Sequence, residues 1–344
     1  MDPPSLKSIA ASAVVASALL RLLRKAGQAQ REEKDMSGIE LMIARNKKMV
    51  SKESEANGQG FKPRKSDVFI TTYAKCGTTW TMQIVHQLRS GGDMDFEEIT
   101  EVIPWDVLAL DCKQDLNSEQ KYFPRCFKSH EQYQHIAKGG RYIYIARNPL
   151  NAMLSFFKFL PQWMWVPQGS VTIEEFVDAI FAGASNSGQI WSHFLGWYEH
   201  RKDPNVLWLF FEDLKRDLRS SVLRIAKFLD MQPTEELVTK VCHMSHHSYM
   251  KDRQVKFDDH FVFDHVKAQI GLEGYKHRAT KVRKSGGKVG EGKAALSEPI
   301  LKRLREKWES IIESKTKLKT YEELCEDVRK SLPEYYDTKY SSNQ

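Results

Sequence analysis

The apolar pattern changes period several times along the chain. Residues 68–73 are β-branched or aromatic and read as a buried strand, after which Trp80, Ile84, Val85 and Leu88 fall at helical spacing. Two further runs, "GRYIYIARNP" over residues 140–149 and "NVLWLFFEDL" over residues 205–214, are continuously apolar and end in polar residues. That is the pattern of strands buried on both faces. Each precedes a helical pattern, over residues 150–159 and 218–229 respectively. Strand-then-helix repetition predicts an α/β fold, a single domain with a central parallel sheet flanked by helices. In such sheets ligands sit at the carboxyl ends of the strands.

Composition changes this picture little: 41% of the 344 residues are hydrophobic and 28% charged, as in ordinary globular chains. The net charge of +7 is concentrated locally. Residues 276–293 carry a single acid, Glu291, among many lysines and arginines. A local excess of this kind suggests an anion site rather than a nucleic-acid surface. The five cysteines are scattered, with no CxxC pair, which predicts neither a disulfide framework nor a bound metal and fits a reducing, cytoplasmic setting. Residues 1–35 differ from the rest. They surround an apolar run, "IAASAVVASALL", with basic residues, and that run is shorter than the roughly 20 residues a bilayer span needs. They read as a disordered extension, an organelle-targeting or signal segment, or a membrane-surface helix formed over residues 7–25. The domain itself is expected over residues 36–340.

Candidate chemistry begins at the first strand-to-helix joint, where Lys75, Gly77, Thr78 and Thr79 stand. A glycine turn there aims backbone N–H groups and the positive end of a helix dipole at one point, which favours phosphate. The lysine precedes the only glycine, so this is P-loop-like without being the Walker sequence. Read alone, the stretch is equally an ordinary turn with a capping threonine.

Other segments resolve that choice. "TYAKCGTTW" (72–80) resembles the phosphosulfate loop TYPKSGTTW of the cytosolic-type sulfotransferases. "FKSH" (127–130) is similar to their KTH segment, and "ARNPLNAMLSFF" (146–157) to RNPKDVAVSYY. "FFEDL" (210–214) resembles FYEDM, and "RKSGGKVGEGK" (283–293) resembles the late RKGxxGDWK loop. The five segments occur in the family's order. The resemblance implies sulfuryl transfer from 3′-phosphoadenosine 5′-phosphosulfate to a hydroxyl or amine of a small, hydrophobic acceptor such as a phenol, alcohol or steroid. It implies no metal and no nucleic-acid partner. Lys75, Cys76, Gly77, Thr78 and Thr79 would then hold the 5′-phosphate, with Cys76 in place of the family's serine. Arg147, Ser155, Arg283, Lys284 and Gly286 would bind the 3′-phosphate. Trp80, Phe211 and Ser245 would surround the adenine. His130 would be the general base, Lys75 would stabilise the leaving oxygen, and Lys128 would neutralise a sulfuryl oxygen. Trp105, Phe157 and His130 would face the acceptor.

The late loop departs from the pattern. It is two residues longer, and Gly292 stands where the family has tryptophan. The family's dimer motif is not matched by "KAALSEPILK" (293–302), which leaves the oligomeric state open. Two other readings of the whole chain are a nucleotide-binding scaffold without catalysis and a P-loop-like nucleotide kinase.

Overall fold

Four strands, β1 (Val68–Thr72), β2 (Cys126–Ser129), β3 (Arg141–Ala146) and β4 (Val206–Phe210), pair in the order β2-β1-β3-β4. Every pairing is parallel. The computed structural model describes Glu33, residues 35–278, Val282 and residues 287–336. The expectations for the N-terminal extension and for residues 337–340 therefore lie outside the described residues. None of the described helices is long and apolar enough to cross a membrane.

Alternation along the strands sorts the sheet into two chemically different faces. Phe69, Phe127, Tyr142, Tyr144, Trp208 and Phe210 project into an aromatic core. Val68, Ile70, Ile143, Ile145, Leu207 and Leu209 project the other way, into an aliphatic one. The helices that matter below are α1 (Gly38–Lys47), α2 (Lys52–Gly60), α3 (Thr78–Ser90), α4 (Pro149–Phe157), α5 (Ile190–Glu199), α6 (Phe211–Arg216) and α7 (Leu218–Phe228). Ile84, Val85 and Leu88 of α3 cover the aliphatic face together with Val222 and Ile225 of α7. Trp197 of α5 covers the aromatic one, stacked 5.0 Å from Tyr144. Burial on both faces explains why the strand sequences read as unbroken apolar runs.

Two boundaries differ from the sequence pattern. The run over residues 205–214 leaves the sheet at Phe210, and Phe211–Arg216 is helical. Its acids Glu212 and Asp213 sit in the first turn and Lys215 and Arg216 in the last, complementing the helix dipole. The helix expected over residues 150–159 is α4. Pro149 occupies its first turn, and the Asn148 side chain accepts from the Leu150 N–H as a cap.

The chain runs from β1 to β2 on one side and returns to β3 on the other. The loop after β1 therefore sits where the strand order reverses, which is where open α/β sheets bind ligands.

Candidate active site

Lys75 and Gly77 shape the turn that follows β1. Lys75 has φ 68° and Gly77 φ 110°, both in the left-handed region. A β-carbon on Gly77 would lie 3.0 Å from the Phe211 ring, so glycine serves both conformation and close approach here. Gly77 is also the N-cap of α3, and no side chain caps that helix. Its first-turn N–H groups and dipole thus face the cleft. Arg147 Nη1 donates to the Lys75 carbonyl at 2.9 Å and fixes the turn from the end of β3. Lys75 Nζ lies 3.7 Å over the Phe159 ring, bridging the loop to the segment after α4. Cys76 is fully buried, and burial pushes its thiol well up, so it stays protonated.

His130 follows β2 and lies across from the same strand end. Its Nδ1 donates to the backbone carbonyl of Thr72, the last residue of β1, at 2.8 Å. A carbonyl can only accept, so this bond fixes the tautomer and leaves the lone pair on Nε2. The Trp105 indole meets the imidazole edge-on with ring centroids 5.0 Å apart. From behind, His193 Nε2 donates to the His130 carbonyl at 3.2 Å, and its Nδ1 accepts from the Tyr144 hydroxyl at 2.9 Å. Complete burial lowers His193 to about 4, keeping it neutral.

Lys128 lines the cleft and is also buried. Its side chain is 1% exposed, with Nζ 3.3 Å from Asp259 Oδ1 and 3.6 Å over the Trp105 ring. Its charge is therefore matched within the chain by an acid 131 positions later, at the start of the helix His260–Val266.

A single cleft, enclosing roughly 1500 Å³ with its solvent-open part included, joins these groups. Lys75, Gly77, Thr78, Thr79, Trp80, Arg147, Ser155 and Phe211 line it together with Lys128, Trp105 and His130. Arg147 stacks 4.2 Å over the Phe211 ring, which in turn meets Trp80 edge-on. Cys76 and Ser245 do not line the cleft. The Ser245 carbonyl accepts from Trp80 Nε1 at 2.7 Å, so Ser245 holds the indole from behind. Arg283, Lys284 and Gly286 lie outside the described residues. Their neighbours Val282 and Gly287 do line the cleft, with Gly287 at φ 62°. Phe157, expected at the acceptor, packs its ring on Phe176 with centroids 5.6 Å apart, as Phe156 does at 5.5 Å, and Phe157 does not line this cleft. Phe156 and Phe159, one and two positions away on the chain, line it instead.

Several lining residues escape the sequence reading. Met49 and Val50 come from the turn after α1, Trp163 and Leu160 from the short helix Leu160–Trp163, and Ser185 and Ser187 from the loop before α5. The aromatic "FLPQWMWVPQG" signals part of this wall, whereas no local pattern singles out the others. Lys215 and His247 also border the cleft. At the late loop, Gly292 N–H donates to Asn151 Oδ1 at 2.8 Å, and a β-carbon there would lie 2.4 Å from the Leu150 backbone. In this packing against α4 only glycine fits, which accounts for the missing tryptophan.

Comparison with known proteins agrees with this arrangement. The family described as Sulfotransferase domain matches residues 65–306. An amine sulfotransferase of Oryctolagus cuniculus is 35% identical over 202 residues, which are 56% of this chain and 65% of that protein. The match thus spans slightly less than two thirds of the rabbit protein's length. Sulfotransferase 1E1 of Homo sapiens is 31% identical, covering 57% of this chain and 70% of its own. Among solved structures, retinol dehydratase in complex with androsterone and inactive cofactor PAP superposes with a TM-score of 0.61 at 19% identity, over 77% of this chain and 85% of that one. Mouse sulfotransferase SULT7A1 complexed with PAP gives 0.58 at 21% identity, over 81% and 94%. At these identities the structural likeness is one of fold.

Proposed function

The chain belongs to the sulfotransferase domain family, and from that premise we propose that it transfers a sulfuryl group from 3′-phosphoadenosine 5′-phosphosulfate to a hydroxyl or amine of a small, largely apolar acceptor. One observation carries this reading. The imidazole of His130 is tied through Nδ1 to the carbonyl of Thr72, three residues before Lys75. A base that follows β2, with its lone pair on Nε2, is therefore tied to the end of β1, the strand from which the proposed phosphate turn springs. The donor end also fits the nucleotide chemically. It offers an uncapped helix N-terminus, two cations in Lys75 and Arg147, and the aromatic rings of Trp80 and Phe211. The Ser245 hydroxyl, buried behind Trp80, has no hydrogen-bond partner among the described residues.

In this assignment His130 Nε2 takes the proton of the acceptor hydroxyl as its oxygen bonds to sulfur. Lys75 and the first-turn N–H groups of α3 stabilise the charge that builds on the departing phosphate oxygen as the S–O bond breaks. Arg147 and Ser155 hold the 3′-phosphate, joined by Arg283, Lys284 and Gly286. Lys128, already paired with Asp259, supports the acceptor side through Trp105. The aromatic wall of Trp105, Phe156, Phe159 and Trp163 receives the acceptor's apolar body.

The test is a thermal-shift titration of the full chain with adenosine 3′,5′-bisphosphate beside adenosine 5′-monophosphate and ATP. A ligand that binds only the folded state raises Tm with concentration. Stabilisation by the bisphosphate well above the other two is the expected result. Preference for ATP would favour a kinase, and absence of any shift would remove the donor site.

A further inference from the structure

Glu131 follows the proposed base directly and lines the same cleft. It is 9% exposed, and Gln59 Nε2 of α2 donates to its Oε2 at 2.9 Å. A second carboxyl, that of Asp106, is pushed up by burial first and by Glu131 second, with Lys128 acting the other way. Among the described residues neither acid is paired with a lysine or arginine. Among the cations that line the cleft, Lys75 lies over the Phe159 ring, Arg147 donates to the Lys75 carbonyl and Lys128 is matched by Asp259. Of the groups that act on Glu131 only His135 can carry positive charge, and Glu55 opposes it, so burying this carboxylate is unfavourable and a cationic ligand group relieves that cost.

The surroundings suit an ammonium in particular. Ser185 and Ser187 line the same cleft and offer hydroxyl oxygens for its remaining protons. Their loop lies against the base segment, since the α-carbon face of Gly188 approaches Gln132 Nε2 to 2.5 Å from where a β-carbon would stand. Met49, Val50, Val107, Leu160 and Trp163 enclose the rest with apolar surface.

We infer that Glu131 is the counter-charge for an acceptor that carries a protonated amine on an apolar body, its hydroxyl presented to His130. This rests on the sulfotransferase reading and narrows its acceptor class. The ammonium takes no part in the chemistry: sulfur passes to the hydroxyl oxygen, the hydroxyl proton to His130, and the bisphosphate departs. Burial pushes the Glu131 carboxyl up, and an adjacent ammonium pulls it back down, so ligand and carboxylate charge favour one another.

The experiment compares tyramine with 4-ethylphenol, which share ring and hydroxyl and differ in the ammonium. Binding of each to the bisphosphate-loaded full chain, and kcat/KM with the sulfate donor, are measured near neutral pH for wild type and Glu131→Gln. Bisphosphate stabilisation of the variant confirms that it is folded. The expected wild-type preference for tyramine is about tenfold or more, the scale of one charge-assisted contact, and the ratio collapses toward one in Glu131→Gln. A wild-type preference for 4-ethylphenol, or a ratio unchanged by the substitution, overturns the proposal. So does an equal loss on both acceptors, which would make Glu131 a positioning residue for His130. The wild-type ratio decides even if the variant does not fold. If the bisphosphate does not bind, the sulfotransferase reading fails at its donor site, and the affinity ratio of the unliganded chain still decides the role of Glu131.

Discussion

At the donor end of the cleft, six consecutive residues from Lys75 to Trp80 supply the turn, the helix start and an aromatic face, and Arg147 closes on them from the neighbouring strand. At the acceptor end, the wall is assembled from the turn after α1, the segment around Trp105, the chain after α4, the loop before α5 and Asp259. The charges divide in the same way. Lysines and an arginine border the donor end, whereas acids border the acceptor end and the one buried lysine there is matched by its own carboxylate. Phosphate recognition needs convergent N–H groups and fixed cations, which one short turn can deliver. An apolar pocket of chosen shape needs walls from several directions, and its specificity resides in which segments happen to meet.

The largest effect is expected where the two ends join. His130→Ala should lower kcat by about 10²–10⁴-fold, the range for a positioned general base, while bisphosphate affinity stays close to wild type. Single-turnover kinetics with saturating donor would check this. Normal turnover in the variant would separate the base from the imidazole and leave the two halves without a shared residue.

The acceptor side is better tested by stability. Asp259→Asn leaves the Lys128 ammonium buried without its carboxylate, and loss of one partner of a buried pair costs about 3–5 kcal/mol. Urea unfolding should show this loss, and a second change, Lys128→Met, should restore much of it, because a buried pair can be replaced by an apolar residue at little cost. If Asp259→Asn were neutral, Lys128 would not depend on that carboxylate, and the contrast in charge between the two ends would weaken.

A smaller effect depends on pH. Burial first, and Glu131 second, raise the Asp106 carboxyl to about 7 from 3.8. Between these values the folded chain holds a proton that the unfolded chain has released, so this group lowers stability as pH rises through the window. Asp106→Asn removes the dependence. The stability of the variant relative to wild type should therefore increase from about pH 4 to about pH 7, by no more than roughly 4 kcal/mol at about 1.4 kcal/mol per unit. The neutral buried His193, lowered to about 4, acts with the opposite sign as pH falls below its unfolded value, and it cancels in the comparison because both proteins contain it. A difference that stays constant with pH would mean that Asp106 is ionised throughout.

What could be read in the sequence follows the same division. The strands were legible because burial on both faces makes them continuously apolar, and the tight turn after β1 because its parts are contiguous. The short segment around His130 is what singles it out in the sequence, and its role as base is the proposal made above. Phe156 and Phe157 both pack on Phe176, yet neighbours on a helix point about 100° apart, so Phe156 also lines the cleft where Phe157 does not, a difference the sequence does not mark. The pairing of Lys128 with Asp259 was hidden by the 131 positions between them. Gly292 read as a departure from a pattern, and only its contact with the Leu150 backbone gives the reason.

Arg147 offers the finest test of the donor end because it serves two purposes there. Its guanidinium holds the Lys75 carbonyl at 2.9 Å and stacks 4.2 Å over Phe211, and it is also the residue proposed for the 3′-phosphate. A phosphate contact remote from the reacting sulfur contributes equally to ground and transition states, so its loss raises KM for the donor and spares kcat. Arg147→Ala should then weaken donor binding about 10- to 100-fold, as expected for charge-assisted hydrogen bonds, with Arg147→Lys between it and wild type because lysine keeps the charge and loses the fork. If kcat falls with affinity, the more important contact is the one to the Lys75 carbonyl, since a displaced turn would misplace the charge that stabilises the leaving oxygen. The ratio of the two kinetic effects therefore measures how far the donor end is a preformed local turn and how far it is held in shape from the neighbouring strand.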